Sequence, residues 1–208
     1  MKLFGNSFCF FGSIIREKLW GVLSILNQLI TGLGPQLKMG EYTEISPQVW
    51  VHKTASVAPT ACLFGPTIVC EGATIKHCAF VRGGVLLCRG ATIGAFSEVK
   101  NSVLMEKATV AHLSYVGDSV LGENSHFGAG VVASNLRLNQ RSISVKFCNQ
   151  KINTNLRKFG ALVGDGTQVG CNSVLCPGTI IGANSVVYPL RCIKGTFESN
   201  STIKENNA

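Results

Sequence analysis

The chain repeats with a period of six residues. From position 51 to position 99, every sixth residue is valine, leucine or isoleucine without a break. Four places further on, each hexad carries a small or β-branched residue, from Ala55 to Ser97. An α-helix would repeat near 3.6 residues and a half-buried strand near two, so neither element explains the pattern. A period of six predicts a parallel β-helix, in which each hexad forms one flat side and three hexads close one coil.

The repeat continues through two register slips and one interruption. Units shortened to five residues follow Val99 and Val116, and a second block of hexads runs from Val163 to Val187. At about eighteen residues per coil, the two blocks predict roughly six coils, stacked about 4.8 Å apart. No coil is stable alone, because each needs its neighbours to bury its apolar side.

The repeat divides the chain into three parts. We expect an N-terminal helical segment and linker over residues 1–46, the β-helix over 47–198 and a disordered polar tail over 199–208. The apolar residues from Ser13 to Ile30 follow a helical period, but charged residues at 16–18 make this stretch too polar for a membrane span. The helix is therefore expected to pack on the β-helix or on a sister subunit, with contact to a membrane surface as the alternative.

Cysteine usage and the N-terminal residues bear on location. The nine cysteines are odd in number and form no CxxC motif. This pattern favours neither a disulfide framework nor a zinc site, and no metal is expected. The first residues lack the apolar core and the cleavage site of a signal peptide. A reducing cytoplasm is the expected location.

The net charge of +8 is concentrated in one segment, over residues 136–160. It has no hexad period and carries six lysine or arginine residues with no acidic residue. The segment is expected to loop out as an arm, with a short hairpin between Ser142 and Thr154 that turns near Cys148. Such an arm is either an anion-binding element or a solvated basic loop. Nucleic acid is disfavoured as a partner, because no run of aromatic residues accompanies the charges.

The interior of a β-helix is filled with side chains, so chemistry has to take place on its outer faces or between subunits. Outward polar candidates gather around the second slip: Arg82, Glu98, Lys100, His112, Tyr115 and Asn135. Arg82 and Lys100 are one coil apart, and a substrate phosphate between them would relieve their mutual repulsion. Glu98 lies close to one coil before His112, where it could accept the second ring proton of the imidazole.

Three motifs carry a resemblance to a known family. They are Gly94-Ala-Phe-Ser-Glu-Val-Lys-Asn, Ala111-His-Leu-Ser-Tyr-Val-Gly-Asp, and Phe127-Gly-Ala-Gly followed by Asn135-Leu-Arg. They resemble the acetyltransferase half of bifunctional UDP-N-acetylglucosamine pyrophosphorylase/glucosamine-1-phosphate N-acetyltransferase, in the archaeal-type sugar-phosphate nucleotidyltransferase pattern. The resemblance covers about residues 47–193. It implies a left-handed coil, which the period alone does not determine. The expected fold is all-β, a left-handed parallel β-helix of hexapeptide repeats with an N-terminal α-helix and a looped-out basic arm.

The resemblance also implies a homotrimer with sites between subunits, and roles for matching positions. His112 would be the general base, taking a proton from a sugar amine as that amine attacks the thioester of acetyl-CoA, with Glu98 as its partner. Arg82 and Lys100 would hold the sugar phosphate. Further contacts to the acceptor are implied for Tyr115, His126 and Asn135, and contacts to the co-substrate acetyl-CoA for Ala129, Cys171 and Ala183.

Two departures from the family pattern bear on function. His126 stands where the family has asparagine, and no Gly-rich start of a pyrophosphorylase domain precedes the repeats. The expected function is an acetyl-CoA-dependent N-acetyltransferase acting on glucosamine-1-phosphate or a related amino-sugar phosphate, in UDP-N-acetylglucosamine and cell-envelope precursor synthesis. Two alternatives are a hexapeptide acyltransferase with a different acceptor, and a non-catalytic trimeric scaffold or regulatory partner of a separate nucleotidyltransferase.

Overall fold

The computed structural model describes residues 19–147 and 150–207. Within them the helix α1 (Val22–Leu33) is flanked by 3₁₀ turns at Leu19–Gly21 and Gly34–Gln36. The strands, in chain order, are β1 (Tyr42–Ser46), β2 (Val49–His52), β3 (Ser56–Val57), β4 (Cys62–Leu63), β5 (Thr67–Val69), β6 (Thr74–Ile75), β7 (Phe80–Val81), β8 (Val85–Leu87), β9 (Thr92–Ile93), β10 (Glu98–Lys100), β11 (Ser102–Leu104), β12 (Thr109–Val110), β13 (Tyr115–Gly117), β14 (Val120–Leu121), β15 (His126–Phe127), β16 (Val132–Ala133), β17 (Ser144–Phe147), β18 (Gln150–Asn153), β19 (Ala161–Val163), β20 (Gln168–Val169), β21 (Val174–Leu175), β22 (Thr179–Ile181), β23 (Val186–Val187), β24 (Cys192–Ile193), β25 (Thr196–Phe197) and β26 (Thr202–Ile203).

Three parallel sheets form the sides of a left-handed parallel β-helix. Face A contains β2, β5, β8, β11, β14, β19, β22 and β25, with β1 antiparallel at its first edge. Face B contains β3, β6, β9, β12, β15, β20, β23 and β26. Face C contains β4, β7, β10, β13, β16, β21 and β24. The chain visits faces A, B and C in turn, so each coil contributes one strand to each face.

The hexad period correctly predicts the interior. The inward residues Val69, Leu87, Leu104 and Val163 are fully buried in one continuous core. Both register slips occur where expected. Directly paired residues of β10 and β13, across the first slip, and of β11 and β14, across the second, are separated by one residue less than a full coil. The small positions from Thr67 to Ser97 are buried too, and Ala91 has no exposed surface.

Two expectations about the C-terminal end are wrong. Face A has eight parallel strands, so the estimate of roughly six coils is too low. The coil continues past Val187 through Ile193 and Phe197, although the step between those two is shorter than a hexad. Residues 199–207 are not a disordered tail, because β26 pairs with β23 and Ile203 is buried.

A second apolar cluster covers the outer side of face A. The central residues of its strands, such as Ile68 and Leu86, point outward and are buried under other parts of the chain. Helix α1 contributes Leu26 and Ile30 to this cluster, which confirms that the helix packs on the β-helix. Its described part ends at Leu33, while the first part of the expected helix, residues 13–18, lies outside the described residues. Neither α1 nor its flanking turns, in the ranges described, have the length and apolar content to cross a bilayer.

The basic arm covers the remainder of face A. Its strands β17 and β18 pair as an antiparallel hairpin, as expected, and the turn near Cys148 lies outside the described residues. Ile143 and Val145 are buried beside Phe159 in the outer cluster. The arm is therefore anchored by apolar packing, and faces B and C remain as the outer surfaces that can carry chemistry.

The buried small position supplies a test of the register. Ala91→Leu should lower the free energy of unfolding by about 1–3 kcal/mol through overpacking, which corresponds to a fall in Tm of roughly 2–12 °C. Ser56→Leu, on the exposed side of face B, is the matched control and should leave Tm nearly unchanged. Equal melting temperatures for the two variants, measured by circular dichroism, would show that Ala91 does not face the core.

Candidate active site

Polar side chains line up across three neighbouring coils of face C. Glu98 pairs with Tyr115 in the next strand, and Lys100 pairs with Gly117. Arg82 donates its backbone N–H to Val99, one coil away. Because the intervening valines point into the core, the polar residues on either side of them point outward. The expected stacking of Arg82 and Lys100 on one face is therefore present.

Each of these two cations already has a carboxylate partner. Arg82 Nη1 lies 2.6 Å from Glu98 Oε1, and Lys100 Nζ lies 3.3 Å from Asp118 Oδ2. The expected unrelieved repulsion between the cations is thus wrong, because the chain itself supplies an anion to each. The hydrogen bond to Glu98 comes from Arg82 and not from His112. The expected Glu98–His112 pair is not formed in this structure.

Asp118 is the central acceptor of this polar cluster, and the sequence analysis missed it. Its side chain is almost fully buried and accepts from Lys100 Nζ and from Asn101 Nδ2, the latter at 2.8 Å. Asn135 Nδ2 donates to the same carboxylate. Asn101 also donates to the carbonyl of Leu23 in α1, at 3.1 Å. The separation of 18 residues between Lys100 and Asp118 places the two close together but does not show that their side chains pair.

Tyr115 and Asn135 lie together beside Gly117. A Cβ added at Gly117 would lie 2.6 Å from both Tyr115 Oη and Asn135 Nδ2, so the glycine leaves room for these two side chains. Burial raises the pKa of Tyr115, and the nearby carboxylates of Asp118 and Glu98 raise it further. The Tyr115 hydroxyl therefore stays protonated at neutral pH and is available as a hydrogen-bond donor.

His112 lies at the corner between faces B and C, with an exposed side chain. Its carbonyl accepts from Gly130 N at 2.9 Å, and the Ala129 carbonyl accepts from Asn172 N at 2.8 Å. These bonds stack His112, Ala129 and Cys171 in one column along the corner. The structure therefore brings together the predicted base and two of the three positions predicted to contact acetyl-CoA.

A cavity of about 410 Å³ lies on face B beside this corner. Its lining is largely apolar and includes His126, Cys171 and Tyr188. Lys204 Nζ lies 5.4 Å from the centre of the Tyr188 ring. His126 therefore projects from face B, apart from the polar cluster of face C. Ala183 lies at the turn before β23, at the other end of the face B strands, and does not line this cavity.

Residues 63–207, more than half of the chain, match the family model described as the GMPPB C-terminal domain. The chain belongs to this family.

Curated relatives agree with the resemblance noted from the motifs. A protein of Sulfurisphaera tokodaii named "Bifunctional sugar-1-phosphate nucleotidylyltransferase/acetyltransferase" is 40% identical over 92 residues, which cover 44% of this chain and 23% of that protein. The "Bifunctional protein GlmU" of Methanococcus vannielii is 31% identical over 161 residues, covering 76% of this chain and 39% of that protein. This member of the GMPPB C-terminal domain family thus spans less than half the length of these relatives.

Among solved structures, the acetyltransferase domain of PglB from Neisseria gonorrhoeae is similar to this GMPPB C-terminal domain family member. The match has 18% identity and a TM-score of 0.37, and it covers 81% of this chain and 64% of that one.

The buried carboxylate provides a test of the cluster. Asp118→Ala should lower the free energy of unfolding by about 3 kcal/mol, because Lys100 would lose its charge partner in a site with little water. Adding Lys100→Met should recover part of this loss, since the uncompensated charge is then gone. The measurement is urea unfolding, with the exposed Glu71→Ala as the control. A loss below about 0.5 kcal/mol for Asp118→Ala, the range of ordinary surface substitutions, would contradict this view of the cluster.

Proposed function

We propose that this protein is an N-acetyltransferase that transfers the acetyl group of acetyl-CoA to the amine of an amino-sugar phosphate, with glucosamine-1-phosphate as the first acceptor to assay. The observation that carries the proposal is the position of His112. Its exposed ring lies at a corner between an apolar cavity on face B and a polar cluster on face C. A donor and an acceptor of different polarity can therefore approach the same imidazole from two sides.

In the proposed reaction His112 acts as the general base. Histidine suits this role, because a neutral imidazole can take a proton from an attacking amine near neutral pH. The amine nitrogen forms a bond to the thioester carbon, and the carbon–sulfur bond then breaks. The proton held by His112 passes to the departing thiolate, which leaves as CoA thiol. The Ala129 backbone N–H, in the same corner column, is the proposed donor to the oxyanion.

The cavity on face B is the proposed location of acetyl-CoA. Its apolar lining suits the pantetheine chain, and Cys171 lies in the corner column of His112. Lys204, held over the Tyr188 ring, adds a positive charge at the rim of the cavity, where the phosphates of a coenzyme would be attracted. Ala183 does not line this cavity and is therefore not part of the proposed acetyl-CoA site.

The polar cluster on face C is the proposed acceptor surface. Tyr115 and Asn135 offer neutral donors for sugar hydroxyl groups, while Arg82 and Lys100 contribute charge-assisted ones. Both cations are balanced by carboxylates, and this observation favours a second candidate function, an acyltransferase of the same kind with a different amine acceptor. Assays with a panel of amines distinguish the two candidates.

Exposed apolar residues support a homotrimer with the site at its interface. Phe96 and Leu113 lie in the column beside His112, and their side chains are 57% and 66% exposed. Phe64 is 55% exposed on face C, where its ring lies against that of Phe80. Large apolar side chains grouped on one surface are typical of an interface between proteins. A second copy packed there would cover them and would close the site around His112.

Removal of the proposed base supplies the test. His112→Ala should lower kcat for acetyl transfer at least about 100-fold, since general-base catalysis contributes this much or more, while KM for acetyl-CoA stays nearly constant. The readout is release of free CoA thiol from acetyl-CoA in the presence of glucosamine-1-phosphate. His77→Ala is the matched control, because His77 is exposed in the same corner column, two coils away, against Phe96. Equal turnover for the two variants would refute the role of His112.

A further inference from the structure

A second cavity, of about 400 Å³, opens where α1, the polar cluster and the returning end of the arm meet. We refer to it as the arm cleft. Its walls include Leu23 of α1, Asn101 and Asp118 at the corner between faces C and A, and Arg157 and Lys158 of the arm. The last two belong to the basic segment for which the sequence left anion binding and a solvated loop as alternatives.

The returning end of the arm is held firmly on both sides of these cations. Thr154 Oγ1 donates to the Ile143 carbonyl at 2.7 Å and accepts from Leu156 N at 3.1 Å. Phe159 is fully buried, and its backbone N–H donates to the Asn135 carbonyl at 2.9 Å. Lys158 forms a β-bridge with Leu136, where the arm leaves the coil. Residues 157 and 158 therefore present their side chains from a fixed backbone.

The charges around the arm cleft do not balance. Asp118 is its acidic wall residue, and it is already paired with Lys100. Arg157 donates to the neutral amide oxygen of Gln140 at 2.9 Å. Among residues 19–147 and 150–207, the ion pairs include neither Arg157 nor Lys158. Within the described part of the chain, the cleft therefore carries two positive charges without a carboxylate partner.

We infer that the arm cleft binds a phosphate or diphosphate group through Arg157 and Lys158. A planar guanidinium can donate two parallel hydrogen bonds to phosphate oxygens, and a neighbouring ammonium adds a second charge. Arg82 and Lys100 are less suited to this task, because a new anion would have to compete with Glu98 and Asp118. The assignment of the ligand as the phosphate of the acceptor rests on the proposed function; the anion site itself does not.

Direct binding of inorganic pyrophosphate tests the site without any enzymatic assay. In titration calorimetry, Arg157→Gln/Lys158→Gln should weaken pyrophosphate binding at least tenfold relative to the unmodified protein. The matched control is Arg141→Gln/Lys151→Gln, which removes two positive charges from exposed positions of the same arm and should change the affinity less than twofold. Equal binding by all three proteins, or an equal loss in both variants, would overturn the inference.

Loss of the fold is checked separately. The double variant removes the hydrogen bond from Arg157 to Gln140, so its Tm is compared with that of Lys158→Gln alone. The single variant keeps this bond and should still weaken pyrophosphate binding severalfold. A single variant with unchanged affinity, together with a double variant that is unfolded, would also count against the site.

Steady-state kinetics test the role of the cleft in the reaction. Arg157→Gln/Lys158→Gln should raise KM for the phosphorylated acceptor at least tenfold and leave kcat and KM for acetyl-CoA within twofold. Pyrophosphate should compete with the acceptor in the unmodified protein. Pyrophosphate binding that depends on the two cations, with no acetyl transfer to any amine, would remove the proposed function and keep the anion site. Acetyl transfer at the normal rate, without pyrophosphate binding that depends on the two cations, would keep the proposed function and remove the anion site.

Discussion

The apolar column inside the coil and the backbone hydrogen bonds between coils determine where the side chains on the outer faces lie. Each inward valine, leucine or isoleucine is covered by its counterparts in the neighbouring coils, as for Val81, Val99 and Val116. The ladder between coils then aligns the residues on either side of that column. Polar side chains at the surface are therefore positioned by a rigid scaffold that contains no interior cleft. Sites can form only on the outer faces and at the corners.

Much of this arrangement could be predicted from the sequence, because a six-residue period determines which residue points inward and which residues share a face. The burial of Ala91, both register slips and the common face of Arg82 and Lys100 follow from the period alone. The choice of partners does not follow from it. Glu98 can reach a neighbour within its own face or one at the corner, and in the structure it contacts Arg82 rather than His112.

Other features depended on information that the period does not contain. Asp118 lies at a corner, where a side chain can turn toward the interior of the cluster or toward solvent, and spacing does not decide between the two. Nor does the period show that His126, on face B, lines a cavity apart from the polar cluster of face C. The last coil was missed because the step from Ile193 to Phe197 is shorter than a hexad, so the pattern is broken although the coil continues.

The arm has a consequence for how specificity can change within this architecture. Its two ends meet at the bridge between Leu136 and Lys158, and the coil resumes in register, with Val132 paired to Val174. The coil therefore closes across the inserted segment, provided that this segment still covers face A with apolar residues such as Ile143 and Val145. A chain of this design can exchange its arm as a cassette, with the cations at the returning end carried along, while His112 and the core stay in place. Under the proposed function, the residues that recognise the acceptor and those that perform the chemistry would be separate parts of the molecule.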